Sequence, residues 1–307
     1  MYQYAETVAT AVNTQSGEIL AVVDGKNPGK GTARRNFANE PHQPGSSAKP
    51  FFAYGPAIEN DKWSTAKQLT DKPTEVNGKE IGNYYDGYRG TNTIRHWLKI
   101  SANTPAIQTY QEIGGDSVEA FAEKSGLKMK DDESISPAYA IGGMKHGFNT
   151  TQMAGAYATL GNGGDYIKPH VIKSIEYSDG SKIKSPIKSK KAMEDYTAYM
   201  LTDMLRDVLK PGGTFPSAGL SFDAVVRLER RMPIKMFGLQ DIRLMSQSVF
   251  GQERRNLETT TDLDSVVRIT VRWHSKSGKI SLQKRAIVHP HHSNNQVLSL
   301  VSEMNCT

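Results

Sequence analysis

Residues 1–225 of this 307-residue chain are predicted to form a mixed α/β domain. Three observations predict it. A strand–turn–strand pattern opens the chain, short amphipathic helical segments fill its middle, and a second hairpin pattern leads into a longer helical one. Residues 226–307 share none of this order.

The elements follow along the chain. Residues 7–12 and 18–23 are apolar runs flanking the turn Gln15-Ser16-Gly17, which reads as a hairpin. A loop rich in Gly, Asn, Pro and Lys continues to Gln43-Pro44-Gly45. That Pro-Gly break predicts a helix from Ser46 to about Glu59. Residues 60–92 are polar and turn-rich, with Tyr84, Tyr85 and Tyr88 clustered. Helical spacing of apolar residues then marks 94–100, 104–113, 118–125 and 151–160. A second hairpin is expected over 166–184, and an amphipathic helix over 192–209, stopped by Pro211-Gly212-Gly213. Beyond 225, pieces such as 266–273 and 279–288 look like strands, with poor periodicity overall.

Composition narrows the function. A hydrophobic content of 37% with 23% charged residues is that of an ordinary globular protein. No apolar run reaches the roughly 18–20 residues of a membrane span, and the start lacks the basic and apolar stretches of a signal peptide. The single cysteine, Cys306, excludes an internal disulfide. The net charge of +6 and pI near 9.1 raise the idea of nucleic-acid binding. Distribution argues against it. Residues 226–307 hold 13 Lys and Arg against 7 Asp and Glu, out of 38 and 32 in the chain, which leaves 25 of each in residues 1–225. Nine of the fourteen arginines also lie beyond 225. The excess therefore belongs to the C-terminal segment, and no nucleic-acid partner is expected.

Two short motifs carry chemistry. Ser46-Ser47-Ala48-Lys49 is a Ser-x-x-Lys, and on a helix positions i and i+3 share a face, so hydroxyl and amine can meet. A serine needs a base beside it to act as a nucleophile, and a lysine serves as one only where burial or nearby positive charge favours its neutral form. The pattern alone is weak: Ser125/Lys128, Ser181/Lys184 and Ser185/Lys188 match it too, as solvated surface. Context singles out Ser46, within Gln-Pro-Gly-Ser-Ser-Ala-Lys-Pro-Phe and after Arg35-Asn36-Phe37-Ala38. About fifty residues later comes Ser101-Ala102-Asn103. A hydroxyl there can relay a proton, and a carboxamide can hold a substrate amide by donor and acceptor at once. The plainer reading is that Ser101 or Asn103 caps the next helix.

With these motifs the chain resembles the transpeptidase domain of class A, bifunctional penicillin-binding proteins. The resemblance runs over residues 1 to about 225 and includes Ser16-Gly17-Glu18-Ile19-Leu20-Ala21, Tyr88-Arg89-Gly90, Ala140-Ile141-Gly142-Gly143 and the stretch 156–164. It implies the serine β-lactamase/penicillin-binding fold, an antiparallel sheet flanked by helices with an all-helical lobe carrying Ser101 and Asn103. It implies Ser46 as acyl-accepting nucleophile, Lys49 as general base, Ser101 as proton relay and Asn103 as substrate holder. The partners implied are peptidoglycan stem peptides ending in D-Ala-D-Ala, and β-lactams that acylate the same serine. No cofactor or metal is expected. The family's glycosyltransferase domain and membrane anchor would precede Met1, and its members work on the outer face of the cell membrane. A β-lactamase of the same fold is a rival reading, but no motif supplies its water-activating group. His289, His291 and His292 are a weaker, metal-site reading.

One family element is missing. Lys-Thr-Gly-Thr should follow the Pro-Gly-Gly-Thr stretch at 211–214, yet the chain continues Val225-Val226-Arg227-Leu228-Glu229-Arg230-Arg231-Met232. Those residues can be encoded gtg gta aga ctg gaa cga cga atg. Regrouped from the last base of the first codon, they read Gly-Lys-Thr-Gly-Thr-Thr-Asn. With a suitable choice of synonymous codons, the same shift over 232–243 can give Ala-Asn-Lys-Asp-Val-Trp-Leu-Ala-Gly-Tyr-Thr-Pro, the family's continuation. Residues 226–307 are therefore expected to be an out-of-frame translation that folds poorly, leaving a sheet without its C-terminal strands and weak or absent activity. An inactive fragment that at most binds peptidoglycan is the corresponding alternative.

Overall fold

A computed structural model describes residues 6–23 and 37–216, together with the strand segments 224–228, 234–241, 246–253, 280–285 and 301–306. The opening hairpin forms as expected. Strand β1 (Glu6–Asn13) pairs antiparallel with β2 (Ile19–Val23), and Gly17 takes the positive φ of 74° that the turn requires.

The segment expected as one helix from Ser46 is helical throughout but of three kinds. Residues Gly45–Ala48 form a 3₁₀ turn, Pro50–Tyr54 a π-helical turn, and α1 (Gly55–Glu59) an α-helix. Pro50 lacks an N–H, so it cannot continue a regular ladder, and the widened turn follows from it. The polar stretch after it contains β3 (Gln68–Asp71), the small hairpin β4 (Glu75–Val76) and β5 (Lys79–Glu80), and β6 (Gly90–Thr93), which pairs with β3.

Helices α2 (Ile94–Lys99), α3 (Thr104–Ile113), α4 (Gly115–Lys124) and α5 (Thr150–Gly161) stand where apolar periodicity predicts them. The start of α5 carries a capping box, Asn149 with Gln152. The second hairpin is more elaborate than expected. β8 (Ser174–Glu176) pairs with β9 (Lys182–Lys184), while β7 (Asp165–Ile167) pairs with β10 (Ser189–Lys191). The last helix, α6 (Asp195–Arg206), starts three residues later than predicted, because Ala192 and Met193 hydrogen-bond to the Gly164 carbonyl instead.

The expectation that the sheet loses its C-terminal strands is not met. β11 (Ala224–Leu228), β12 (Ile234–Asp241) and β13 (Ser246–Glu253) join β1 and β2 in a five-stranded antiparallel sheet of order β11-β12-β13-β1-β2. Such a ladder is made by backbone N–H and C=O groups, so it does not require particular side chains. β14 (Ile280–Arg285) falls within the expected strand 279–288 and pairs with β15 (Val301–Cys306). The strand expected at 266–273, the three tail histidines, and Arg35 with Asn36 lie outside the described residues.

The core lies between the sheet and the helical lobe. Helix α5 packs on β1, where the Thr10 and Thr150 hydroxyls lie 2.7 Å apart. Its Tyr157 ring meets Phe51 edge-on at 5.0 Å, and both rings are buried. In the helical lobe the Trp97 indole donates to the Leu69 carbonyl at 3.0 Å. Arg95 of α2 ties this lobe to α6 through Asp203 at 2.6 Å and Asp207 at 3.1 Å. Phe51→Ala is expected to cost about 3–5 kcal/mol through the cavity left beside Tyr157. Urea denaturation of the two proteins measures this, and a loss under about 1 kcal/mol would mean that the site collapses to fill the void.

Candidate active site

Ser46 stands on the 3₁₀ turn that follows Pro44-Gly45, with Gly45 at φ 51°. That turn is held from behind. A Cβ on Gly142, itself at φ 79°, would come within 2.2–2.3 Å of Gly45 backbone atoms, so only glycine allows this close approach. The hydroxyl of Tyr157 donates to the Ser47 carbonyl at 2.8 Å, which fixes the next residue.

Lys49 lies one helical turn on, with its side chain fully buried. Its Nζ is 2.9 Å from Ser46 Oγ, 2.8 Å from the Ser101 carbonyl, 3.2 Å from Ser101 Oγ and 2.8 Å from Asn103 Oδ1. An ammonium has only three N–H groups for these four oxygens. One contact must therefore be shared, or run the other way with a serine hydroxyl donating to a neutral amine. Burial disfavours the charged form of a lysine, which is the condition set above for a base.

Ser101 and Asn103 arrive from the turn between α2 and α3. Ser101 adopts φ 62°, a region costly for a residue with a Cβ, and strain of this kind concentrates where geometry matters for function. The conformation turns both its carbonyl and its hydroxyl toward Lys49, and its Oγ lies 3.1 Å from Ser46 Oγ. Asn103 is the N-terminal cap position of α3, yet its side chain makes no capping hydrogen bond. Its Oδ1 faces Lys49 and its Nδ2 donates to the Gly82 carbonyl at 2.9 Å. The capping reading of Asn103 is therefore set aside, and all four motif residues converge on one centre.

Strand β11 runs alongside the turn that carries Ser46. This strand holds Val225, Val226 and Arg227.

A second cluster, which the motifs do not reveal, lies beside the first. Asp71, at the end of β3, is buried and accepts from Asn83 Nδ2 at 2.8 Å, the Tyr85 hydroxyl at 2.8 Å, the Arg89 N–H at 2.9 Å and the Thr104 hydroxyl. Burial alone would raise the Asp71 carboxyl, but these hydrogen bonds outweigh it and hold the group below its ordinary value. A depressed carboxylate contributes stability above the unfolded-state value, about 3.9, and loses it as pH falls through the lower folded value. Asp71→Asn should accordingly be less stable than the parent at neutral pH, with the difference shrinking in acid below about pH 4. Urea midpoints at pH 7 and about pH 3 test this; a gap that stays constant would show that the carboxylate charge is not the cause.

Comparisons with known proteins show the family. A family model described as "Penicillin binding protein transpeptidase domain" matches residues 7–224. This chain belongs to the penicillin-binding-protein transpeptidase family. It is 43% identical over 207 residues to penicillin-binding protein 1A/1B of Bacillus subtilis, covering 66% of this chain and 22% of that protein. It is 33% identical over 218 residues to penicillin-binding protein 1A of Streptococcus oralis, covering 67% and 34%. The chain thus spans between a fifth and a third or so of these relatives. Among solved structures, the fold is shared with the D,D-transpeptidase domain of a peptidoglycan glycosyltransferase from Eggerthella lenta (TM-score 0.68, 18% identity, 82% of this chain and 74% of that one). Penicillin-binding protein 1A of Haemophilus influenzae gives a TM-score of 0.68 at 21% identity, over 81% and 43%. The likeness of fold reaches further along the transpeptidase chain than the likeness of sequence, which the family model carries only to residue 224. Among the described residues no helix is long and apolar enough to cross a membrane.

Proposed function

We propose that this chain is a peptidoglycan D,D-transpeptidase domain working through a serine acyl-enzyme. The observation that carries the reading is the buried Lys49 Nζ within hydrogen-bond reach of both Ser46 Oγ and Ser101 Oγ. In the first half-reaction Lys49 takes the Ser46 proton as Oγ attacks the carbonyl carbon of the penultimate D-Ala. The C–N bond to the terminal D-Ala breaks. Its nitrogen takes up the proton from Lys49 by way of the Ser101 hydroxyl, which leaves an ester on Ser46. In the second half an acceptor amine attacks that ester, gives up a proton along the same route, and Ser46 is regenerated with a new peptide bond. Asn103 holds the amide of the donor peptide. A β-lactam acylates Ser46 through the same first half, but its leaving nitrogen stays tethered to the acyl group.

Activity of the present sequence is a separate matter, because Lys-Thr-Gly is absent. The proposal includes an out-of-frame origin for residues 226–307. Support comes from the family match ending at residue 224, the charge break near 225, and the regrouped codons that recover the motif. Family resemblance gives the missing lysine the task of neutralising the substrate carboxylate, and gives a backbone N–H just after it the task of second oxyanion donor. The alternative of an inactive fragment rests on the same absence.

Covalent labelling by a fluorescent penicillin tests the reading, with Ser46→Ala as control. A band lost in the control supports Ser46 as nucleophile. A band of equal strength in both proteins would refute it.

A further inference from the structure

We infer that Asp71 is a positioning residue for Asn103, acting through Asn83 and Thr104; the assignment deepens, and rests on, the acyl-transfer reading above. The argument starts from the N-terminus of α3. The first N–H groups of a helix need outside acceptors, and the side chain of the cap residue usually supplies one. Here the cap residue is Asn103, whose carboxamide is committed to Lys49 and the Gly82 carbonyl. Asn83 does the capping in its place. Its Oδ1 accepts from the Asn103 N–H at 2.6 Å and the Thr104 N–H at 3.3 Å.

That substitution works only if the Asn83 amide faces the right way. Its oxygen must point at the helix and its nitrogen away. Asp71 enforces this orientation, since a carboxylate accepts from Nδ2 and could only repel Oδ1. The same Asp71 oxygen accepts the hydroxyl of Thr104, the first residue of α3, and so pins the helix start directly. The other oxygen takes the Tyr85 hydroxyl and the Arg89 N–H. Four donors on two oxygens are what an ionised carboxyl can serve and a carboxamide cannot. Asp71, Asn83 and Thr104 are each nine-tenths or more buried, so water does not stand in for a lost partner. Thus a residue with no place in the reaction spares the Asn103 carboxamide from capping α3 and keeps it aimed at Lys49.

The test separates positioning from packing. In the full chain, amide hydrogen exchange at Asn103 and Thr104 is followed by NMR for Asp71→Asn, Thr104→Val and Thr104→Ser. Asp71→Asn and Thr104→Val should each speed exchange at these amides about tenfold or more, with the α5 core amides unchanged. Thr104→Ser keeps the hydroxyl and should keep the parent's exchange. A packing role predicts the reverse order, because valine preserves the volume of threonine and serine does not; that order would overturn the proposal. If Asp71→Asn fails to fold, the Thr104 pair still decides. Penicillin labelling is read on the same proteins. Faster exchange with an unchanged labelling rate would also overturn the assignment. A parent chain that is not labelled at Ser46 bears on the acyl-transfer reading and the missing Lys-Thr-Gly, not on Asp71, and the exchange data still judge whether Asp71 sets Asn103.

Discussion

Restoring one guanine after the Val225 codon should raise the rate of acylation at Ser46 by about 10²–10³. On the proposed out-of-frame origin, the restored frame would read Gly-Lys-Thr-Gly-Thr-Thr-Asn from position 226, where β11 now lies. β11 already runs beside the turn carrying Ser46, so residues restored at 226–228 would border the site. The gain has two sources. A lysine beside the substrate carboxylate adds a charge-assisted hydrogen bond, and a well-placed N–H stabilises the oxyanion of the tetrahedral intermediate. Stopped-flow acylation by a chromogenic β-lactam, on both chains and on the restored chain with Ser46→Ala, measures the effect. Equal rates in the two parents would mean that β11 as it stands completes the site. A gene whose nucleotides offer no such regrouping would remove the out-of-frame account altogether.

The second large effect is expected from Lys49→Met in the frame-restored chain: a fall in acylation rate of about 10²–10⁴, the usual contribution of a general base. Methionine fills most of the same path and removes the amine. Lys49 is fully buried and donates to the Ser101 carbonyl and Asn103 Oδ1, so an apolar replacement leaves buried acceptors without that donor and should lower stability by about 1–3 kcal/mol without unfolding the chain. A rate that survives the substitution would transfer the base role to another group. A rate lost together with the fold would say nothing specific about the amine, which is why the thermal scan accompanies the kinetics.

Much of the site was legible because its chemistry is written locally. Ser46 and Lys49 are three residues apart, and any helical turn brings them together, whether 3₁₀, π or α. The helices α2 to α4 were legible for a similar reason, since each buries one apolar stripe, and α5 was legible as an apolar run buried all round from Met153 to Leu160. Asp71 and Asn83 were not legible. They sit in a polar stretch that reads as turns, and their importance comes from contacts 20–33 residues away with the start of α3. Polarity in a strand such as β3 is ordinary on a surface; only burial makes it informative.

Sequence by itself determined the family, the four motif residues and the absence of Lys-Thr-Gly, because each is a matter of residue identity and spacing along one chain. The sheet was decided by tertiary structure. Strand β13 pairs with β1, β12 with β13 and β11 with β12, through backbone groups that all residue types but proline share, so no motif announces the pairing. The strained turn at Ser101, the close approach of Gly142 to Gly45, and the exchange of caps between Asn103 and Asn83 were decided there too. Each depends on segments distant in sequence meeting at van der Waals or hydrogen-bond distance, and a linear pattern does not encode that meeting.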